Sequence, residues 1–251
     1  MSLFGKSFVV TGGASGIGLA TVHKLLQLSA TVHAIDKSDS FPTKTNSKGK
    51  LWVYPNVDVT SRSSVAETFR EISSRSPNLS GLVNCAGIVK QHKSSTSDDD
   101  VFKQVLDVNL VGTWNVSTEF VHVVQATKKT SPAIEADVSI VNIGSTASFR
   151  GMPGIPGYVA SKHAVLGLTR AWAQEWGSLG IRVNLVGPGV IRTAMTQPEG
   201  SADTDSLVTF PTALNKPFAE PEEIARTILF FLGDASSYVT GQGLEANGGW
   251  L

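Results

Sequence analysis

The chain has 251 residues, of which 41% are hydrophobic and 17% charged, enough apolar material for a substantial core. Lys plus Arg and Asp plus Glu each number 21, so the formal charge is zero and a nucleic-acid partner is not expected. The one cysteine, Cys85, excludes an internal disulfide and suits a reducing compartment. The N-terminal apolar run is too short for a signal sequence or a membrane span, so we expect a cytoplasmic protein with no membrane partner.

Short apolar segments typical of β-strands alternate with segments of helical periodicity. Most strand segments are continuously apolar, as expected when helices cover both faces of a parallel sheet. The alternation predicts a single-domain (1–251), doubly wound, Rossmann-type α/β fold with about seven parallel strands. The predicted strands are Phe8–Thr11, Thr31–Ile35, Leu51–Tyr54, Gly81–Asn84, Val138–Ile143, Arg182–Val186 and Gly243–Ala246. The predicted helices are Gly16–Leu28, Ser63–Ser74, Val101–Ala126, Tyr158–Trp176 and Glu222–Leu232.

Two segments interrupt the alternation. Lys37–Lys50 is poor in apolar residues and contains proline, asparagine and glycine, so a loop fits better than a helix. Met195–Lys216 contains two prolines and a glycine among scattered apolar residues. Because long loops inside compact chains are usually functional, we expect this second segment to be a mobile lid over a substrate.

A glycine-rich loop follows the first predicted strand. It reads Thr-Gly-Gly-Ala-Ser-Gly-Ile-Gly over Thr11–Gly18 and leads directly into a helix. Glycine allows a tight turn and close approach to a pyrophosphate, for which the helix N-terminus supplies N–H donors. The Gly-x3-Gly-x-Gly spacing differs from the G-x-G-x-x-G fingerprint of dinucleotide-binding proteins. Taken alone, the loop is also explained by a turn that needs glycine for its geometry.

An acidic residue, Asp36, ends the second predicted strand. A carboxylate at this position accepts hydrogen bonds from both hydroxyls of an adenosine ribose and repels a 2′-phosphate. Ala14 and Ser15 offer no positive charge to such a phosphate, and Lys37 alone argues against NAD. The pattern therefore favours NAD(H) over NADP(H), the alternative being an ordinary solvated acid at a strand end.

Tyr158 and Lys162 are four residues apart near the start of a predicted helix, and so share one face. A free tyrosine has a pKa of about 10, too high for efficient acid–base catalysis at neutral pH. A neighbouring ammonium favours the phenolate and lowers that pKa. The same lysine can bind a cofactor ribose. Because Tyr-x3-Lys is common by chance, an exposed helix pair is the alternative.

Taken together, these segments resemble the short-chain dehydrogenase/reductase family along almost the whole chain. The order and spacing of the motifs are similar to the family's compact form, which has a Rossmann-type sheet, no separate substrate domain and a nicotinamide dinucleotide cofactor. The matching residues are Thr11–Gly18, Asp36, Asp58-Val59, Asn84-Cys85-Ala86-Gly87, Asn109, Ser145, Tyr158 with Lys162, and Pro188-Gly189 with Thr193.

The resemblance implies a catalytic set of four residues. Tyr158 would be the general acid/base, and Lys162 would lower its pKa and bind the nicotinamide ribose. Ser145 would hydrogen-bond the substrate oxygen and stabilise developing charge. Asn109 would hold a water that links Lys162 to solvent. A strand-end cap and a buried amide at a helix kink are the alternatives for Ser145 and Asn109.

The resemblance also implies dinucleotide contacts along the whole cleft, and no metal site is expected. We interpret Cys85 as a small buried apolar residue rather than a reactive thiol. The implied cofactor-binding residues are Gly12, Ser15, Gly16, Ile17 and Gly18 in the glycine loop, Asp36, Asp58, Val59, Asn84, Ala86 and Gly87 on the adenosine side, and Tyr158, Lys162, Pro188, Gly189, Ile191 and Thr193 on the nicotinamide side.

Three features depart from the family pattern. Gly144 stands where many members have a second serine, although Ser145 keeps its offset from Tyr158. Asn247 replaces the usual aspartate of an Asp-Gly-Gly segment, which puts an assembly contact in doubt. The Lys37–Lys50 loop replaces a usual helix, so the adenosine side of the cleft is expected to be more open.

The reaction implied is reversible hydride transfer between the nicotinamide and a secondary alcohol or ketone. Apolar residues in the substrate region favour an apolar, cyclic small molecule of terpenoid, steroid-like or polyketide type, as in secondary metabolism. A redox-inactive dinucleotide-binding protein and a non-redox cyclase or lyase remain the alternatives. The residues of this region are Met152, Ile155, Met195, Leu207, Val208, Phe210 and Trp250.

A homo-oligomer, as a tetramer, is expected mainly from the resemblance. Apolar residues on the Val101–Ala126 helix and at Leu229–Leu232 add support, because one helix face covers the sheet and the rest needs a partner. A symmetric interface between equivalent helices would bury them. The competing interpretation places all of these residues in the core of one chain.

Overall fold

Parallel strands form the centre of the protein. The computed structural model describes residues 3–42, 47–91, 98–130, 137–196 and 211–250, which contain one sheet of seven parallel strands in the order β3-β2-β1-β4-β5-β6-β7. The predicted strands are confirmed, with bounds that shift by two residues at most. The strands are β1 (Ser7–Thr11), β2 (Thr31–Ile35), β3 (Lys50–Tyr54), β4 (Gly81–Asn84), β5 (Val138–Ile143), β6 (Ile181–Pro188) and β7 (Gly243–Ala246).

Helices cover both faces of this sheet, as the continuously apolar strands predict. Val9 faces a core layer formed with α2, α4 and α5, while its neighbours Phe8 and Val10 face a second layer formed with α1 and α6. The doubly wound Rossmann-type fold is therefore confirmed. The helices are α1 (Gly16–Gln27), α2 (Arg62–Arg75), α3 (Asp99–Leu106), α4 (Gly112–Thr130), α5 (Pro156–Glu175) and α6 (Pro221–Leu232).

The prediction of one regular helix over Val101–Ala126 is wrong. A π-helical segment, Asp107–Val111, separates α3 from α4, and the helical stretch begins at Asp99 and ends at Thr130. A π-turn changes the local register of the helix, which an apolar pattern of period 3.6 does not reveal. Asn109 lies in this π-helical segment, and its side chain is in the protein interior, where the residue is 1% exposed.

The strand order places the carboxyl ends of β1, β4, β5 and β6 at one edge of the sheet. From β1 the chain first extends the sheet through β2 to β3, then returns to the other side of β1 with β4. Such a reversal opens a crevice beyond the strand ends, where open α/β sheets bind ligands. The residues at these strand ends are Thr11, Asn84, Ile143 and Pro188.

The two irregular segments are only partly described. Within Lys37–Lys50, the described residues form no helix before β3 begins, as predicted. Residues 197–210, which make up most of the predicted lid, lie outside the described residues. They include Leu207, Val208 and Phe210, three of the residues predicted for the substrate region. Among the residues that are described, no helix is long and apolar enough to cross a bilayer.

Candidate active site

The loop between β1 and α1 has a backbone that requires glycine. Gly12 and Gly16 have φ angles of +65° and +51°, in the left-handed region. A Cβ on Gly18 would lie 2.0 Å from the carbonyl oxygen of Gly12. The N-cap residue Ser15 is exposed and makes no side-chain capping hydrogen bond. The half-buried Ile17 follows in the first turn. An uncapped helix start behind a tight glycine loop fits a pyrophosphate group.

Thr11 joins this loop to the segment after β4. Its buried hydroxyl accepts hydrogen bonds from the main-chain N–H groups of Cys85 (3.0 Å) and Ala86 (3.1 Å). A Cβ on Gly12 would lie 2.9 Å from the nitrogen of Ala86, so the two loops are in close contact. This role of Thr11 has one signal in the sequence, a hydroxyl at the end of an otherwise apolar strand.

Asp36 is held at the end of β2 by main-chain donors. Oδ2 accepts from the N–H of Ala14 at 2.9 Å, and Oδ1 accepts from the N–H of Ser38 at 2.9 Å. The carboxylate therefore lies beside the glycine loop, where it would meet the adenosine ribose of a dinucleotide bound in this crevice.

Asp58 forms an ion pair with Lys37, the basic residue that follows Asp36. Lys37 Nζ lies 2.9 Å from Asp58 Oδ2, and Thr60 donates to Oδ1 from its main-chain N–H (2.9 Å) and hydroxyl (2.8 Å). The hydrogen bond from Lys37 is the main reason why the pKa of Asp58 falls to about 2. Val59 is buried. The charge of Lys37, the counter-argument to NAD, is thus already paired.

The side chain of Asn84 is buried between α4 and the neighbouring strand β5. It is 4% exposed, and its Nδ2 donates to Ser117 Oγ and Asn142 Oδ1, both at 2.8 Å. A cofactor contact of Asn84 itself would therefore involve its main chain, and side-chain contacts in this segment would come from the residues that follow it. Gly87 lies closer to the predicted chemistry, because a Cβ on it would be 3.2 Å from Asn109 Oδ1 and 3.6 Å from Lys162 Nζ.

Three predicted catalytic side chains lie together at the ends of β5 and α5. Lys162 is 6% exposed, its Nζ donates to the carbonyl of Ile143 at 2.8 Å, and it lies 5.5 Å from the centroid of the Tyr158 ring. Ser145 caps the short 3₁₀-helix Thr146–Ser148, and its Oγ accepts from the N–H of Ala147 at 3.1 Å. The capping role proposed as an alternative for Ser145 is therefore real, and it leaves the hydroxyl proton available.

Asn109 links this group to the segment after β4. Its Nδ2 donates to the carbonyl of Ile88 (2.9 Å) and to Ser161 Oγ (3.0 Å), and its Oδ1 accepts from the N–H of Ile88 (2.8 Å). The contacts seen are with protein groups, as expected for a buried amide at a helix irregularity. Ser161, which is fully buried beside Lys162, was missed by the sequence analysis because only its spatial contact with Asn109 identifies it.

Burial controls the ionisation of the tyrosine–lysine pair. It raises the pKa of Tyr158, while hydrogen bonding with Ser145 acts in the opposite direction. Burial also lowers the pKa of Lys162 to about 8. We predicted that the lysine lowers the pKa of the tyrosine, and the direction found for Tyr158 is the reverse, because desolvation disfavours the phenolate more than the neighbouring groups favour it. Burial likewise raises the pKa of Cys85 to about 12, so this thiol is neutral.

The segment after β6 forms the opposite wall of the crevice. The carbonyl of Pro188 accepts from the Thr146 hydroxyl at 3.1 Å, and a Cβ on Gly189 would lie 3.0 Å from the Cα of Asn247. Ile191 is buried. Thr193 reaches back to the glycine loop, since its methyl carbon would be 3.2 Å from a Cβ on Gly16. Both predicted halves of a dinucleotide site thus border one crevice.

Comparison with known proteins identifies the family. The family model described as Enoyl-(Acyl carrier protein) reductase matches residues 12–251. This chain belongs to the short-chain dehydrogenase/reductase family. Members of this family are oxidoreductases, and the features of the glycine loop and of Asp36 fit a nicotinamide dinucleotide.

Relatives of this short-chain dehydrogenase/reductase share its full length. The 3-oxoacyl-[acyl-carrier-protein] reductase FabG of Thermotoga maritima is 38% identical over 256 residues, covering 99% of both chains. A putative NAD(P) dependent gluconate 5-dehydrogenase from Beutenbergia cavernae, with bound NADP at low occupancy, superposes with a TM-score of 0.83 at 31% identity over 99% and 98% of the chains. Carveol dehydrogenase from Mycobacterium avium, in complex with NAD, superposes with a TM-score of 0.84 at 25% identity over 98% of both.

Proposed function

We propose that this protein catalyses reversible hydride transfer between NAD(H) and a secondary alcohol or ketone, with Tyr158 as general acid/base. The observation that carries the proposal is the convergence of Ser145, Tyr158 and Lys162 at the strand ends that border the dinucleotide crevice. A bound nicotinamide would supply or accept the hydride. The protein's part is to hold the substrate oxygen and to exchange its proton.

Ser145 and Tyr158 divide that task. In the reductive direction a raised pKa keeps the Tyr158 phenol protonated, so that it can donate its proton to the oxygen of the substrate. The Ser145 hydroxyl, whose Oγ already accepts from Ala147, still has its proton to donate to the same oxygen. Lys162 would hold the ribose of a bound nicotinamide nucleotide, and Asn109 fixes the loop beside it through Ile88.

The proposed preference is for NAD(H). Asp36 presents its carboxylate at the adenosine end, and its hydrogen bonds from Ala14 and Ser38 hold it there. A ribose 2′-phosphate at this place would meet that negative charge, while the adjacent Lys37 is paired with Asp58. Structural relatives are known with NAD and with NADP, so the preference rests on these local charges.

The proposed substrate is an apolar, cyclic alcohol or ketone. A cavity of about 170 Å³ lies beside Gly189 and Val190, and its wall combines the apolar side chains of Leu214, Phe218 and Trp250 with the charged side chains of Lys216 and Glu223. Ser145 and Tyr158 do not line this cavity, so it would take a part of the substrate away from the reacting carbon. Carveol dehydrogenase, one of the structural neighbours, is named for a cyclic alcohol. Trp250 was among the residues predicted for the substrate region, and the other described members of that set are Met152, Ile155 and Met195.

We also propose that residues 1–251 act as one catalytic domain with a lid at 195–216, and that the protein assembles as a homotetramer. Phe102 and Trp114 are 37% and 47% exposed, whereas Val105 and Phe120 on the same helical stretch are fully buried. Phe230 is 42% exposed beside the buried Phe231 and Leu232. Part of each apolar group therefore belongs to the core, and part remains for a symmetric interface.

Absorbance at the NADH band, measured against a panel of cyclic alcohols and ketones with a linear 3-oxoacyl compound included, tests the proposed activity. Turnover of a cyclic compound with NAD(H) supports the proposal. Tight NADH binding with no turnover of any compound would favour a redox-inactive dinucleotide-binding protein instead. Product formation with unchanged cofactor absorbance would favour a cyclase or lyase.

A further inference from the structure

Arg192 makes three different contacts with the chain just before α6. Its guanidinium carbon lies 3.7 Å from the centroid of the Phe218 ring, its Nε lies 3.0 Å from Glu220 Oε1, and its main-chain N–H donates to the carbonyl of Ala219 at 3.0 Å. The stack, the ion pair and the backbone hydrogen bond together favour one conformation of this half-exposed side chain. We call this group, Arg192 with Phe218–Glu220, the arginine clamp.

The arginine clamp connects the segment after β6 to the start of α6 through side-chain and backbone contacts. Ile191 and Ala219 form an isolated parallel bridge, and the N–H of Ala219 donates to the carbonyl of Val190 at 3.0 Å. Glu220 is itself the N-cap of α6, where the carboxylate of Glu223 accepts from its N–H at 2.9 Å. Since α6 packs on α1 and the sheet, the clamp connects residues 190–193 to a rigid part of the fold.

The residues on either side of Arg192 face the dinucleotide crevice. Ile191 is buried, and Thr193 lies against Gly16 of the glycine loop. A shift of this segment would move Ile191 and Thr193 within the crevice, whereas Asp36, at the end of β2, makes its contacts with Ala14 and Ser38 and would stay in place.

We propose that Arg192 is a positioning residue that sets the nicotinamide half of the cofactor site through its contacts with Phe218 and Glu220. The inference rests on the proposed function, because it takes Ile191 and Thr193 as the residues that meet the nicotinamide. It adds a residue that would act through Ile191 and Thr193, and it implies that affinity for the nicotinamide end can be changed without changing the adenosine end.

The test compares two ligands, NADH and ADP-ribose, which lacks the nicotinamide ring. Dissociation constants are measured by quenching of protein fluorescence and by calorimetry for the wild type, Arg192→Ala, Arg192→Lys and Phe218→Leu. We expect Arg192→Ala to weaken NADH binding about tenfold and ADP-ribose binding less than about twofold. Arg192→Lys, which keeps a charge for Glu220 but not the planar stack, should recover part of the NADH affinity.

Arg75 offers a matched control, because its guanidinium carbon lies 4.1 Å from the centroid of the Trp52 ring and it is ion-paired with Glu71, far from the crevice. Arg75→Ala should leave both dissociation constants within about twofold of the wild type. A cooperative thermal unfolding transition shows that a variant is folded. If Arg192→Ala does not fold, Phe218→Leu weakens the same stacking contact more mildly and serves in its place.

Two results would overturn the inference alone: NADH affinity that is unchanged in both Arg192→Ala and Phe218→Leu, or an equal loss of NADH and ADP-ribose affinity. Wild-type protein that binds ADP-ribose but not NADH would overturn the proposed function together with the inference. The two failures are therefore distinguishable in one set of titrations.

Discussion

The side-chain ammonium of Lys162 donates a 2.8 Å hydrogen bond to the main-chain carbonyl of Ile143, the last residue of β5. This bond anchors the lysine on the sheet two residues before Ser145, so that the helix α5 and the strand β5 are joined at the point where the proposed chemistry takes place. The position of the lysine is therefore set by the fold, and that of Tyr158 follows one turn away on the same helix face.

Removal of the Tyr158 hydroxyl should separate catalysis from binding. Tyr158→Phe should lower turnover by about 10³-fold or more, because it removes the proton donor, and should change NADH affinity little, because the volume is nearly unchanged. Lys162→Ala should weaken both, since the lysine is assigned to the ribose as well. Steady-state rates and NADH titrations measure the two effects. Near-normal turnover in Tyr158→Phe would mean that the acid/base lies elsewhere.

Cofactor choice should depend on the charge of Asp36. Asp36→Ala should weaken or invert the preference for NAD(H), because the repulsion of a 2′-phosphate is lost. Asp36→Asn is the matched control, since it removes the charge but keeps an acceptor for the N–H of Ala14. If charge decides, both variants shift the ratio of NADH to NADPH affinity in the same direction. A wild type that prefers NADPH would contradict the assignment outright.

Stability should fall in mild acid because of His33. This side chain is fully buried between Tyr54 OH (3.0 Å) and Ser76 Oγ (2.9 Å), and burial lowers its pKa from 6.5 to about 4. Well above pH 6.5 neither the folded nor the unfolded chain is protonated at His33, so the contribution of this residue to stability is fully present. As the pH falls toward about 4, only the unfolded chain takes up the proton, and stability is lost.

We expect urea unfolding to show a loss of about 2 kcal/mol from this group between pH 7.5 and pH 5. In His33→Gln the free energy of unfolding should differ less between pH 7.5 and pH 5, although it should be lower at both pH values. His163→Gln, the same substitution at an exposed position, is the control. Equal pH dependence in wild type and His33→Gln would show that another group is responsible.

A methyl group at Gly18 should disrupt the glycine loop. Gly18→Ala places a carbon 2.0 Å from the carbonyl oxygen of Gly12, so the backbone must move, at a cost of about 2 kcal/mol, and dinucleotide binding should be lost. Gly167→Ala on the exposed face of α5 meets no atom within 4 Å. It should raise stability by about 0.5–1 kcal/mol and leave binding intact. Thermal unfolding and NADH titration of both variants test the contrast.

The association state should depend on the exposed aromatic residues. Light scattering at micromolar concentration should give a mass near four times the 26.5 kDa of one chain. Trp114→Lys and Phe230→Lys introduce charge where a symmetric interface would bury these side chains, and each should lower the mass. A wild-type mass near that of one chain would contradict the assembly.

The order of strands and helices was predictable from local pattern, because continuous apolar runs and 3.6-residue periodicity are properties of neighbouring residues. The glycine loop and the pairing of Tyr158 with Lys162 were predictable for the same reason, since both lie within a few residues of chain. The π-helical segment around Asn109 was not, because it changes the helix register without changing the apolar pattern.

Contacts between distant segments and the effects of burial were decided only by the tertiary structure. The pairing of Lys37 with Asp58 and the stacking of Arg192 on Phe218 join residues that no local pattern relates. The ionisation of Tyr158 is the clearest case. Sequence spacing places a lysine beside it and predicts a lowered pKa, whereas partial desolvation in the folded chain raises the pKa of this half-buried phenol, because the cost of desolvating the phenolate depends on every group packed around it.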